Sequence, residues 1–355
     1  LLIFLFLFVW QSPNPSALQQ GLVALRDGKL AEAKSSFEAA LQQEPKNAFA
    51  WVSLAETCRR LGVTAAAQDA AQKAETFGGN VAAVDHALAS FYTQTGDFPH
   101  AAKLEEKFAA SPQADPQASL RTAELYQRAG DAPDAERVLK AAWEHRGSDP
   151  LVAFAYAQVL LHKLDFAGAE EAVRPALAAH PQDPQLVLVT GVARYGERRF
   201  ADAIDDFLQV IDIDPSIPQP YEFIGRMMEQ AGPKLQKITH AFAVRVKNAP
   251  DDALANLVLA KAKLAADSKD PEAEKLLRHS LKIDAAQWEA HFQLGVVLEG
   301  RHDFKAAAEE LKQSVALDPK QPMPHYHLAR VYDRLGDNEH AQVERKLHAE
   351  LSASK

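Results

Sequence analysis

Cysteine occurs once in the 355 residues, at Cys58. A lone thiol excludes an intrachain disulfide, a CxxC redox pair and a thiolate zinc site, and leaves the chain at home in oxidising and reducing compartments alike. Cys58 itself is expected to be a buried, inert thiol. Positive charge is also short: 39 Lys and Arg stand against 48 Asp and Glu, a net charge of −9, with no basic block. Nucleic acid is excluded as a partner, because phosphate binding needs a basic face. Glycine is limited to 16 residues while hydrophobic content is 47%, a balance that favours packed helices over strands or disorder. Missing too are a GxxxxGK[ST] phosphate loop, an HExxH zinc pair, a GxSxG elbow and a GxGxxG turn. The chain is therefore read as non-enzymatic and without a cofactor.

No apolar run is long enough to span a bilayer. The ten residues LLIFLFLFVW at the start would rise about 15 Å as a helix, roughly half of the hydrocarbon core. That length suits the apolar core of a signal peptide, although no basic segment precedes Leu1, and the N-terminus is expected to be truncated. Cleavage is poorly specified, since Pro15 lies two residues before Ala17 and Trp10 two before Ser12. Residues 1–12 are thus expected to be a signal-peptide or membrane-anchor remnant, with a hydrophobic strap on the following helices as the alternative. The expected location is exported, periplasmic or extracellular, or membrane-anchored, and not cytoplasmic.

What the chain has in abundance is a period. Alanine recurs every 34 residues at Ala33, Ala67, Ala101, Ala135, Ala169 and Ala203, skips a beat at Lys237, and returns at Ala273, Ala307 and Ala341. A second small-residue series leads it, at Gly21, Ala55, Ala89, Ala123, Ala157, Gly191, Gly225, Gly295 and Ala329. A fixed period of this length marks a solenoid of helical pairs, and small side chains mark where two helix backbones touch. Residues 14–47 give one unit. Ser16 can cap a helix through Leu18, Leu22 and Leu25, and Asp27-Gly28 ends it. A second helix carries Leu30, Ala33, Phe37, Ala40 and Leu41 at spacings of three and four, and Pro45 stops it. Each helix is about a dozen residues and marginal alone, so burial against its neighbours must stabilise it.

This pattern resembles the tetratricopeptide repeat, a two-helix motif of 34 residues. Matching positions include Trp51, Leu54 and Ala67; Gly191, Ala203, Phe207 and Pro215; and Leu294, Gly295, Ala307 and Pro319. The resemblance implies an all-α, right-handed α-solenoid of about ten helix-turn-helix repeats over residues 14–355. Departures fall at Lys237 and Gly232-Pro233 in repeat seven, and at two extra residues around Asp267 to Asp270 in repeat eight. In the last repeat Arg345 and His348 replace apolar residues, as expected where an outer face meets water.

Solenoids present an extended concave surface, and function is expected there. One ladder on the inner helices runs Leu18, Val52, His86, Leu120, Phe154, Leu188, Glu222, and a second runs Leu22, Glu56, Ser90, Glu124, Gln158, Val192, Arg226. Around repeats five and six, Leu151, Phe154, Leu161, Leu188, Val192 and Tyr195 form an apolar stretch able to receive an amphipathic helix or apolar peptide, with Gln158 and Arg128 beside it. Arg26, Arg59, Arg60, Arg128 and Arg334 can hold carboxylates. Against this stand ordinary packing for the apolar residues and a solvated surface for the arginines. The lysine and asparagine clamp of the family's cochaperone branch is absent. No metal site is expected from His291, His302, His325 and His327, since residues two apart on a helix diverge. Asp202, Asp205, Asp206, Asp212 and Asp214 read as a solvated outer face, not a calcium site. The expected function is a scaffold in a bacterium-like cell envelope, binding a peptide or helical segment of a partner protein as a monomeric array. The alternative is the recruiting or sensing region of a larger enzyme or signalling protein whose other domain lies upstream of Leu1. Self-assembly end to end is opposed by polar Arg345 and His348.

Overall fold

The structure, a computed structural model, describes residues 16–79 and 81–353. The segment 1–12 assigned to export or anchoring lies outside them. The described residues hold twenty α-helices and no strand, so the chain is all-α. They succeed one another as ten pairs, each an A helix followed by a B helix. The chain divides into two compact units, one ending at Val159 and one starting at Leu160. None of the described helices is long and apolar enough to cross a membrane.

The first pair shows how residues set the element. Helix α1 (Ala17–Arg26) opens on a capping box. The Gln19 amide donates to Ser16 Oγ at 3.3 Å, and the Ser16 amide donates to Gln19 Oε1 at 3.0 Å. Two otherwise unpaired amides are satisfied at once. Helix α2 (Leu30–Gln43) buries Ala33, Phe37, Ala40 and Leu41, and it ends before Pro45. It packs on α1 and on α3 (Ala48–Arg60), which in turn touches α1, so the first pair is covered by the start of the second.

The turn from A to B helix needs one residue in the left-handed region, and the 34-residue beat supplies it. Gly28, Gly62, Gly96, Gly130 and Gly336 adopt φ of 76° to 86°. At the same place Leu164, Arg198 and His302 take φ of 61°, 62° and 65° despite their side chains. The turn between repeats has its own lock. Trp51 Nε1 donates to the Pro45 carbonyl at 2.8 Å, and Tyr221 Oη to that of Pro215 at 3.1 Å. His291 and His325 make the same bond from Nε2, to Ala285 at 3.2 Å and Pro319 at 3.1 Å.

The small-residue series mark the helix crossings as expected. Every alanine from Ala33 to Ala341 in the first series is buried. A Cβ built on Gly21 would lie 2.5 Å from Phe37, on Gly191 2.8 Å from Phe207, and on Gly295 2.6 Å from Leu311. At these three glycines a methyl group would have to displace the facing Phe or Leu side chain, whereas five other repeats accommodate alanine.

The two irregular repeats, both in the second unit, differ as their sequences do. In repeat seven α13 (Gln219–Arg226) has only eight residues, followed by 3-10 turns at Met228–Gln230 and Gly232–Lys234 before α14 (Leu235–Asn248). Lys237 is exposed and bonds Asp205 together with Lys234, and the alanine place falls instead to buried Ile238, four residues before Phe242 as Ala203 is before Phe207, because one residue has been added ahead of α14. Beside Gly225 the nearest atom is Lys261 Nζ, where other repeats present their own B helix. In repeat eight α15 (Ala253–Ala266) and α16 (Pro271–Ile283) are joined by residues 267–270, which absorb one extra position, while the other lies in repeat seven, ahead of α14, a correction to the reading that placed both here. Ala260 keeps the small-residue place of α15, four residues after Asn256, whose Nδ2 bonds the Pro250 carbonyl, and the next residue, Lys261, is buried and held by Glu289.

The last repeat corrects one expectation. On α20 (Asn338–Ala353) Arg345 is exposed and bonds Asp333 on α19 (Pro322–Leu335). His348 instead turns inward, its Nδ1 3.0 Å from the Pro322 carbonyl at the start of α19. Val343 and Leu347 are exposed on the same helix, so its outer side is not wholly polar.

Candidate binding surface

The A helices carry the candidate residues, and their local packing sorts ligand positions from core positions. In the first unit Val52 and His86, both on the first ladder, are buried. His86 Nδ1 lies 2.6 Å from Glu105 Oε2 on the paired helix, and its ring stacks on Phe108 at 4.3 Å. Arg121 donates to Glu105 at 2.8 Å and to both oxygens of Asp115, holding the Asp115 carboxyl down to about 2. At these two places the ladder turns into the interior, while its members Leu18, Leu120, Phe154 and Leu188 keep part of their surface outside.

The arginines in this unit are engaged at home. Arg59 bonds both oxygens of Glu56 at 2.7 and 2.8 Å, Arg26 bonds Asp27, and Arg60 donates to the Leu25 carbonyl at 3.2 Å. Arg128, at the end of α7 (Ala118–Arg128), lies with its guanidinium 4.1 Å over the Phe98 ring. On α9 (Pro150–His162) Leu151 is 56% exposed, and Phe154 and Gln158 are half-buried. Cys58 is buried, and that burial pushes its thiol up, as expected of an unreactive cysteine.

In the second unit Leu161 is half-buried, and Leu188, Val192 and Tyr195 line one side of α11 (Pro184–Gly196). All three of the α11 residues rest on the unit's core while keeping part of their surface outside. Tyr195 meets Phe200 edge-on at 5.7 Å and Phe223 at 5.0 Å, and Phe223 stacks on Phe207 at 4.8 Å. Phe223 of α13 thus extends the apolar wall. Sequence reading passed over it because it lies one residue beyond the ladder position Glu222.

Beneath this wall a charged network ties three helices. Arg194 donates to Asp206 at 2.8 and 3.0 Å and to Glu170 at 2.8 and 3.0 Å, and Arg199 reaches Glu170 at 2.7 Å. Asp206 is buried, and burial pushes its carboxyl up to about 6. This corrects the reading of the aspartates as a solvated outer face: Asp206 points at the paired helix, and Asp205 is bridged by Lys234 and Lys237. The histidines are likewise used internally. His291 Nδ1 is 2.7 Å from Glu310, His325 Nδ1 2.6 Å from Glu344, and His327 Nδ1 2.7 Å from Glu299. Among the described residues no three His, Cys, Asp or Glu side chains converge as a metal site would require.

Each irregular repeat borders a hollow. One of about 180 Å³ lies between α12 (Phe200–Ile213) and α14, over Leu208, Ile211 and Phe242. A larger one of about 640 Å³ lies between the 267–270 loop and α17 (Trp288–Gly300).

Comparison with known proteins agrees with the repeat reading. The tetratricopeptide repeat family profile matches residues 18–82 and 154–218. No curated protein matches the chain. Among solved structures, the C-terminal part of a repeat-containing protein from Cytophaga hutchinsonii is 16% identical, covering 78% of this chain and 99% of that one at a TM-score of 0.47. Yeast Tom70 is 14% identical over 94% of this chain and 91% of its own, at 0.41. YrrB, described as a repeat protein with an unusual peptide-binding site, is 16% identical over 51% and 93%, at 0.41. With the profile on two stretches that lie within the run of ten helix pairs, residues 18–82 and 154–218 are tetratricopeptide repeats.

Proposed function

We propose that the chain binds a peptide or helical segment of a partner protein on the A-helix side of α11 and α13. The observation that carries this reading is the run of half-buried apolar side chains Leu188, Val192, Tyr195 and Phe223, fixed from below by the core and by the Arg194 network. A rigid apolar strip with some surface left outside is what an amphipathic helix covers with its own apolar face. Affinity would rest on a few such anchors, with charged neighbours setting orientation. In the first unit, α9 offers Leu151 and Phe154 for the same chemistry, considered on its own. Export or anchoring through residues 1–12 belongs to the same proposal and is tested by fractionating cells that express the full-length gene.

A display library of random helical and extended peptides, selected against the whole chain, tests the binding reading. Selected peptides are expected to lose at least about tenfold in affinity on Val192→Glu, since a charge would then be buried under the ligand. Peptides that bind Val192→Glu as well as the parent would remove this surface from consideration.

A further inference from the structure

The last described helix is fastened by a different chemistry from the others. Of α20 only Ala341 is buried and only Glu344, His348 and Leu351 are half-buried, so two of its four inward residues are titratable. On α18 (Phe304–Leu317) the matching stripe buries Ala307, Ala308, Leu311 and Ser314. The place of Leu311 is taken on α20 by exposed Arg345. With so little apolar surface to hold α20, its hydrogen bonds to α19 carry correspondingly more of the docking.

The central bond needs a proton. His325 of α19 is 2% exposed, its Nδ1 2.6 Å from Glu344 Oε2 and its Nε2 3.1 Å from the Pro319 carbonyl. Both partners are acceptors, so Nε2 donates to the carbonyl and one proton must lie between Nδ1 and Oε2. Whichever of the two atoms carries it, its loss leaves two lone pairs facing each other in a buried seam. His291 of α17 repeats the arrangement with Glu310 and the Ala285 carbonyl, and its hydrogen bond to Glu310 raises its pKa.

The other charges around the seam have partners of their own. Arg345 pairs with Asp333, exposed His340 with Asp337, and Lys346 with Glu350. On α18, Glu309 pairs with Lys312 and Glu310 with His291; on α17, Glu299 pairs with His327 and Arg330. Burial pushes the Tyr332 hydroxyl up. In that company histidine is the residue type whose charge changes between about pH 5 and 8. Of these histidines only His325 and His348 make hydrogen bonds from α19 to α20, and His348 donates from one nitrogen, as a neutral ring can.

We propose that the seam between α19 and α20 is a pH-sensitive latch: α20 is docked while the proton between His325 and Glu344 is present, and is released as pH rises and that proton is lost. Wherever a free histidine is neutral, the docked form holds one proton more than the released form, so docking weakens with rising pH. The latch concerns α20 alone and stands or falls separately from the α11–α13 strip.

Hydrogen–deuterium exchange of the whole chain tests it, read peptide by peptide from acid to mildly alkaline pH and corrected for the chemical exchange rate. Protection of α20 relative to α12 is expected to fall by up to about tenfold per pH unit above about 6.5, and to level off once the docked pair has lost its proton. Glu344→Gln supplies an N–H to a neutral Nδ1, so it should keep α20 protected with a flat profile. His325→Gln should also flatten the profile, whereas His340→Gln should retain the parent's fall. In the parent, NMR of labelled histidine, with the His325 signal assigned by its absence from His325→Gln, should show that ring titrating where protection levels off. A flat parent profile, a fall that survives in His325→Gln or Glu344→Gln, or a His325 titration outside that range overturns the proposal. Where a variant fails to dock α20 even in acid, the parent's ring titration decides.

Discussion

A single methyl group is a large object at the helix crossings. Ala203 is fully buried in the series that sets the repeat, and its place was legible from periodicity alone. Ala203→Leu should overpack the crossing and cost about 1–3 kcal/mol, seen as a lowered melting temperature. The histidines were less legible. His291 has a carboxylate on Nδ1 and a carbonyl on Nε2, and both are acceptors, so only the doubly protonated ring satisfies them. The hydrogen bond to Glu310 accordingly raises its pKa above the usual 6.5. A raised folded pKa gives stability that is complete below the unfolded value and is lost as pH rises through the folded one. Urea unfolding followed from acid to mildly alkaline pH should show stability falling across that window, and His291→Gln should flatten the slope. His291–Glu310 and His325–Glu344 share a spacing of nineteen residues, a pairing that has meaning only once the two helices are known to be antiparallel.

At the scale of the element, the turns decide more than the helices do. Six repeats place glycine with positive φ at the A-to-B turn, Gly232 among them at 48°, whereas Leu164, Arg198 and His302 adopt such a φ at a steric cost. That cost is on the order of 1–2 kcal/mol, partly offset by the greater freedom glycine loses on folding. Leu164 is 71% exposed, so removing its side chain forfeits little packing. Leu164→Gly is expected to raise stability by about 0.5–1 kcal/mol, measured as a higher denaturant midpoint. Repeat seven shows the converse. Gly232-Pro233 and Lys237 announce a departure in the sequence, and the shortened α13 and exposed Lys237 realise it. That Lys261 would approach Gly225 was not readable, since it follows from where α14 fails to close.

For the molecule as a whole, stability is the sum of many similar contacts between neighbouring pairs, as expected of repeat proteins. Most of the described helices pack mainly on those next to them in sequence, although α13 meets α15 where α14 would be expected. The terminal helix is the exception, having a neighbour on one side only, and it leaves Val343 and Leu347 exposed. Two apolar residues among the charges of α20 are too few for a stable self-interface, which buries roughly 800 Å² on each partner. Light scattering over a wide concentration range is therefore expected to give the mass of one chain throughout. Mass growing with concentration would show association, and Val343→Lys would then test whether this end is responsible.

The sequence by itself determined the helix pairs, the crossing points and the two irregular repeats, because each is a local choice of small, apolar or turn-forming residue repeated on one beat. Tertiary structure alone decided which side chains on an A helix face solvent. Spacing placed Val52 and His86 on the ligand side, yet both are buried, and it passed over Phe223. The physical reason is that a period fixes the angle of a residue around its own helix, while burial depends on how far the neighbouring helix has rotated and how near it stands.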